Sequence, residues 1–228
     1  MHVWVFRHSQ LAVPMLQMRE VLSRVEQERA EKIRHFDQRL SYLQSKFAFR
    51  TILAAHLHVP PRDLQLTVSL FGKPRLLGHD IEVSQSHSYD WSAVAVSASG
   101  LVGIDIEHCR PLPNCRQMAG HVMTDQEARS FREIPQELRA RKFLELWTRK
   151  EAVLKCVGLG LHQDPRSLNT GWHEPAVQFG HLQYYLNALA CGRLIGHVAS
   201  HKPQQFLMHG LPPQLAICRR VCQDHIKA

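Results

Sequence analysis

The hydrophobic period of this chain changes several times, and each change predicts an element. Apolar residues from Val3 to Arg7 predict an opening strand, and Leu11 to Phe36 reads as helical. A second helix is expected from about Gln38 to His58, with Leu40, Leu43, Phe47, Ile52 and Leu53 at three- and four-residue spacing and Pro60-Pro61 as its stop. Leu64 to Leu70 alternates as a strand, and Phe71-Gly72-Lys73-Pro74 reads as a turn. Ile81 to Val83 is strand-like. Two hydrophobic strands then follow, 93–97 and 101–107, joined by the turn residues Ser99-Gly100. Pro111 and Pro113 mark a break. A short helix is expected at 125–131 and a long one at 135–157, ended by Gly158 and Gly160. Short strands to about Ala199 and a tail with one short helix complete the pattern. This order predicts an α+β fold, in which each half of the chain packs a long helix near antiparallel strands.

Four local patterns carry chemistry. In Val102-Gly103-Ile104-Asp105-Ile106-Glu107, a strand would turn Asp105 and Glu107 to one face and the isoleucines to the other. Two carboxylates about 7 Å apart repel by about 2 kcal/mol at an effective dielectric near 20. A hard cation reverses that sign, although a solvated strand face explains the pair equally well. On the helix Trp147-Thr148-Arg149-Lys150-Glu151-Ala152-Val153-Leu154-Lys155, Trp147, Glu151 and Lys155 share a face, which alone reads as an ordinary salt-bridge spacing. Ser84-Gln85-Ser86-His87-Ser88 offers hydroxyls around an imidazole, a plausible phosphate cradle. A hydrolase pair is the weaker reading, because no GxSxG elbow is present. Finally, Arg29 and Lys32 share a helical face, Arg50 lies on the next helix, and Lys73 sits in its turn. Taken singly, these are solvated surface charges.

Composition narrows the classes. With 44% apolar and 21% charged residues, the 228-residue chain reads as an ordinary soluble protein with no membrane helix and no signal peptide, expected in the cytoplasm. Its six cysteines form no CxxC pair, and Cys218 and Cys222, four apart, make only a weak metal case. Sixteen histidines show no HExxH or regular spacing. The net charge, 28 basic minus 20 acidic residues or +8, favours an anionic partner: nucleic acid, a phosphorylated small molecule or an acidic protein. A Mg²⁺-dependent nuclease could use the DxE strand, and a nucleic-acid-binding module could use the charge. Neither needs the Gly-Lys-Pro turn or the Ser-His-Ser triplet, and no stacking motif appears.

Taken in order, Gly72-Lys73-Pro74, Ser86-His87-Ser88, Gly103 to Glu107 and Trp147 to Lys155 resemble the 4′-phosphopantetheinyl transferases. The likeness is to the larger, surfactin-type branch, in which one chain holds two similar halves related by a pseudo-two-fold. It covers roughly Glu28 to Leu161 and divides the chain at 1–101 and 102–228. The resemblance implies transfer of phosphopantetheine from coenzyme A to a serine of an apo acyl or peptidyl carrier protein, acidic in character, with release of 3′,5′-ADP. It implies Mg²⁺, or Mn²⁺, on Asp105, Glu107 and Glu151, with Glu151 and Lys155 as the catalytic pair. Coenzyme A would meet Ser86 and His87 at its phosphates, Lys155 at its pyrophosphate and Gly72, Lys73 and Pro74 at its adenine. Arg29, Lys32 and Arg50 would approach its 3′-phosphate. Gly158, Gly160 and Leu161 match the family's GxGL, whereas Ser84 stands where the family often has Asn. A monomer is expected, with no nucleic-acid or membrane partner. Glu127 reads as a surface helix carboxylate.

Overall fold

A computed structural model describes residues 1–11, 13–212 and 215. The opening strand is β1 (His2–Arg7). The helical stretch expected as one piece is two, α1 (Met15–Val21) and α2 (Arg24–Glu31). The break falls at Ser23, whose hydroxyl accepts the Glu26 N–H while the Glu26 carboxylate reaches back to the Ser23 N–H. That reciprocal box starts a new helix instead of continuing the old one. Helix α3 (Phe36–Leu57) follows, then β2 (Leu66–Val68), β3 (Pro74–Leu76), β4 (Glu82–Ser88) and β5 (Trp91–Ser97).

The second half opens with β6 (Val102–His108). Helix α4 (Cys115–Val122) lies where only a proline break was expected, and it buries Cys115, Ala119 and Val122. Then come α5 (Asp125–Arg132), α6 (Gln136–Val157), β7 (Ala176–Phe179), β8 (Leu182–Cys191), β9 (Leu194–Ser200) and β10 (Leu207–His209). The last strand replaces part of the expected tail. The short helix and the Cys218/Cys222 pair lie outside the described residues.

Two sheets result, ordered β10-β1-β5-β4-β3-β2 and β6-β9-β8-β7. The strands at 93–97 and 101–107, joined through Ser99-Gly100, fall in different sheets, because β5 is paired on both sides, by β1 and β4, and has no free edge for β6. Val3, Val5, Ala93 and Ala95 of the first sheet meet Val102, Ile104, Ile106 and Val198 of the second in one core. Helix α3 covers the far face of the first sheet through Phe47, Phe49, Ile52 and Leu53. Helix α6 covers the far face of the second through Ala152, Val153 and Cys156. No described helix is long and apolar enough to cross a membrane.

Candidate active site between the sheets

The site begins with a glycine. A Cβ on Gly103 would stand 2.1 Å from the Ala152 carbonyl oxygen and 2.3 Å from the Cys156 nitrogen. Its absence lets β6 lie directly on α6. Two residues on, that contact brings Asp105 to the helical face carrying Glu151 and Lys155. The Lys155 Nζ donates to Asp105 Oδ1 at 2.7 Å, and the Ser86 hydroxyl donates to the same oxygen at 2.8 Å. Glu107 is held in the same manner: Ser88 and Arg110 donate to its Oε2 at 2.7 and 2.8 Å.

The other oxygens differ. Asp105 Oδ2 and Glu151 Oε1 are buried without a hydrogen-bond partner among the described residues. Burial raises the Asp105 carboxyl above its usual pKa, against the lowering effect of Lys155. It lifts Glu151 to about 7, with Lys155 opposing and Asp105 and Glu107 adding repulsion. A buried carboxylate with a vacant lone pair and like-charged neighbours is costly unless a cation or a proton meets it.

Of these carboxylates, Glu151 lines a cleft of about 360 Å³, together with Arg29, Lys46, Gly72, Lys73 and Lys155, the lysine that holds Asp105. Gly72 takes the left-handed turn (φ 84°) that aims the hairpin tip at the cleft. Helix α6 stops at Gly158 (φ 87°), a backbone conformation that favours glycine. The Lys73 ammonium is buried, bonded to the Cys156 carbonyl at 3.0 Å and to Glu82 at 2.6 Å, so it fastens the turn to the end of α6. His87 is exposed on the opposite side of β4 from Ser86. Its imidazole is held below its usual pKa, first by desolvation, then by Lys155 and Lys46, against the raising effect of Asp105 and Glu107.

Four expectations need correction. Arg50 does not face the cleft. It is 2% exposed, with its guanidinium on Glu26 at 2.7 Å and on the Leu64 carbonyl at 3.1 Å. The Ser86 hydroxyl is occupied inside the protein, since it also accepts the Ile106 N–H at 3.3 Å. Glu127 is not a surface carboxylate but is buried against Lys150 at 2.7 Å. Lys32 is exposed and does not line the cleft. Conversely, Lys46 does line it and escaped the sequence reading, although it lies on α3 four residues after Tyr42, whose ring it approaches.

Asp105, Glu107 and Glu151 do not stand as a closed cage. Among the described residues no three His, Cys, Asp or Glu side chains are gathered to hold an ion. Lys155 and Arg110 each neutralise one carboxylate oxygen instead. The donor set still fits a hard divalent cation: all-oxygen ligands, two of them buried and unpartnered, beside a basic cleft.

Paired carboxylates at the edge of an anion-attracting cleft define a site suited to phosphoryl transfer. Residues 101–191, which carry Asp105, Glu107, Glu151 and Lys155, match the family model of the 4′-phosphopantetheinyl transferase superfamily. The chain is 28% identical over 162 residues to slr0495 of Synechocystis, provisionally named for the same transferase, covering 70% of this chain and 65% of that protein. It is 27% identical over 164 residues to the 4′-phosphopantetheinyl transferase HetI of Nostoc, covering 70% and 69%. With the 4′-phosphopantetheinyl transferase AcpT of Salmonella typhi it shares 38% over 88 residues, 38% of this chain and 46% of AcpT. The match thus spans less than two thirds of slr0495. Site and matches alike make this chain similar to the 4′-phosphopantetheinyl transferase superfamily, most directly over residues 101–191.

Proposed function

We propose that the protein transfers the 4′-phosphopantetheine of coenzyme A to a serine hydroxyl of an apo acyl or peptidyl carrier protein, releasing 3′,5′-ADP. The observation that carries this reading is the pair of buried, unpartnered oxygens, Asp105 Oδ2 and Glu151 Oε1, beside a cleft edged by Arg29, Lys46 and Lys155. Asp105, Glu107 and Glu151 would hold Mg²⁺ or Mn²⁺, which when bound supplies positive charge to a pyrophosphate. Arg29 and Lys46 in the cleft attract the anionic groups of coenzyme A, with Lys32 and His87 read as further basic contacts. Lys155 offsets charge on the departing nucleotide. Glu151, buried beside the cleft, is the group assigned to take the serine proton.

The two-half architecture belongs to the same proposal. Residues 1–101 and 102–228 are read as similar halves of the surfactin-type branch, acting as a monomer in the cytoplasm. Support comes from the recurring order β1-β5-β4 and β6-β9-β8 and from a 22-residue helix in each half. An acidic carrier suits the groove of about 630 Å³ beside Glu107, which is lined by Arg110, Arg116, Arg139 and Arg141 around Leu112 and Pro113, with Arg116 and Arg141 exposed.

Chromatographic detection of 3′,5′-ADP tests the reaction. Its release should require an apo carrier and match the carrier consumed mole for mole. No release, or release without carrier as a hydrolase or nuclease would give, contradicts the proposal.

A further inference from the structure

Strand β6 is an edge of its sheet, so a row of its N–H groups lacks a strand partner. The structure fills that row with side chains. The hydroxyls of Ser84, Ser86 and Ser88 on β4 accept from the N–H groups of Ile104 at 3.1 Å, Ile106 at 3.3 Å and His108 at 3.0 Å. The three serines alternate along β4, so all face the same way and step in register with β6. Two of them do more. The Ser86 hydroxyl donates its own proton to Asp105 Oδ1, and that of Ser88 to Glu107 Oε2, at 2.8 and 2.7 Å. Ser84 has no carboxylate to meet, because residue 103, two before Asp105, is glycine.

We infer that Ser86 and Ser88 are positioning residues that clamp one oxygen of Asp105 and of Glu107 to the β6 backbone and so aim the other oxygen at a divalent cation. The inference rests on the metal reading of the site. Each hydroxyl locks a carboxylate to the N–H of the next residue, which removes side-chain freedom that a cation would otherwise have to quench. In each carboxylate the clamped oxygen also takes the lysine or arginine: Lys155 on Asp105 and Arg110 on Glu107. The second oxygen is thereby left to a further ligand. Ser84 performs only the backbone half of the task and is a built-in control.

The experiment is a titration of Mn²⁺, followed by paramagnetic resonance of the free ion, into protein saturated with coenzyme A, against a coenzyme A blank. Ser86→Ala and Ser88→Ala should weaken Mn²⁺ binding about tenfold or more. Ser84→Ala should lower the melting temperature comparably and leave Mn²⁺ affinity at the wild-type value. Ser88→Thr, which restores a hydroxyl, should recover most of the lost affinity. Coenzyme A binding in EDTA should be unchanged in Ser86→Ala. Equal losses in all three alanine variants, or none, would overturn the inference, as would weakened coenzyme A binding in EDTA, which would place Ser86 on a phosphate. Wild-type protein that takes up no Mn²⁺ beyond the blank would sink the metal reading itself, and the inference with it.

Discussion

Two of the lysines on helix α6, Lys150 and Lys155, each meet a buried carboxylate at 2.7 Å, yet the two pairs have opposite character. Lys150 and Glu127 are 0% and 1% exposed in their side chains, and neither side chain has a buried polar atom without a partner among the described residues. Lys150 also donates to the Pro165 carbonyl at 2.9 Å and to the Leu168 carbonyl. Glu127 accepts from the backbone of Thr124 at 2.8 Å and of Thr170 at 3.0 Å. Asp105 and Glu151 next to Lys155 are nearly as buried, at 5% and 6%, but keep oxygens that nothing meets. A closed network fastens α5 and the 165–170 loop to α6. An open one stores unfavourable charge where a ligand can relieve it. Burial of a charged pair does not separate scaffold from site. Completeness of its hydrogen bonding does.

That contrast can be broken by substitution. The largest effect is expected at the closed pair: Glu127→Ala leaves Lys150 buried and uncompensated and should cost about 3–5 kcal/mol in urea unfolding. At the open site the signs reverse. Asp105→Ala and Glu151→Ala should fold with little loss of stability and lower Mg²⁺-dependent transfer by about 10²–10³-fold in an assay of carrier modification. Near-normal rates in both would refute the carboxylate assignment.

The pH dependence sharpens the same point. Glu151 has a folded pKa of about 7 against an ordinary value of 4.5, so the unfolded chain ionises first. Without a divalent ion, stability should therefore fall by about 3 kcal/mol as pH rises from 4.5 to 7, and Glu151→Gln should remove that loss. Buried neutral His8 and His197, lowered to about 4 and about 3, act oppositely and cost stability as pH drops below 6.5. The difference between wild-type and Gln variant melting curves isolates the glutamate. A smaller effect is expected for Gly103→Ala, whose added methyl must push β6 off α6 at a cost of about 1–3 kcal/mol. Smallest is salt: raising it from low to moderate strength should increase the apparent KM for an acidic carrier only severalfold.

Much of the scaffold was legible because periodicity is local. Helix α6 occupies 136–157 against an expected 135–157, and β6 occupies 102–108 against 101–107. The shared face of Glu151 and Lys155 and the strand alternation of Asp105 and Glu107 also followed from the spacing alone. What escaped depends on partners distant in sequence. The serines of β4 looked like a solvent-facing cradle, because nothing in Ser84 to Ser88 announces that the edge of another sheet lies across from them. Arg50 read as a surface cation because its counter-charge, Glu26, sits 24 residues earlier in a helix cap. Lys150 and Glu127 are spaced like solvated helix charges, and only tertiary packing closes the loop at 165–170 over them. The break at Ser23 was the exception. Its Ser-x-x-Glu box stands in the sequence, a local signal for a new helix start inside the stretch that the hydrophobic period alone reads as continuous.

The most direct test of the account is the mass of an apo carrier protein after incubation with this protein and coenzyme A, with Mg²⁺ or with EDTA. A gain of one phosphopantetheinyl group on the carrier serine with Mg²⁺, and none in EDTA, is the expected result. An unchanged mass in Mg²⁺ for acyl and peptidyl carriers alike, or an equal gain in EDTA, would contradict the central claim that the open carboxylates of β6 and α6 serve a cation-dependent transfer.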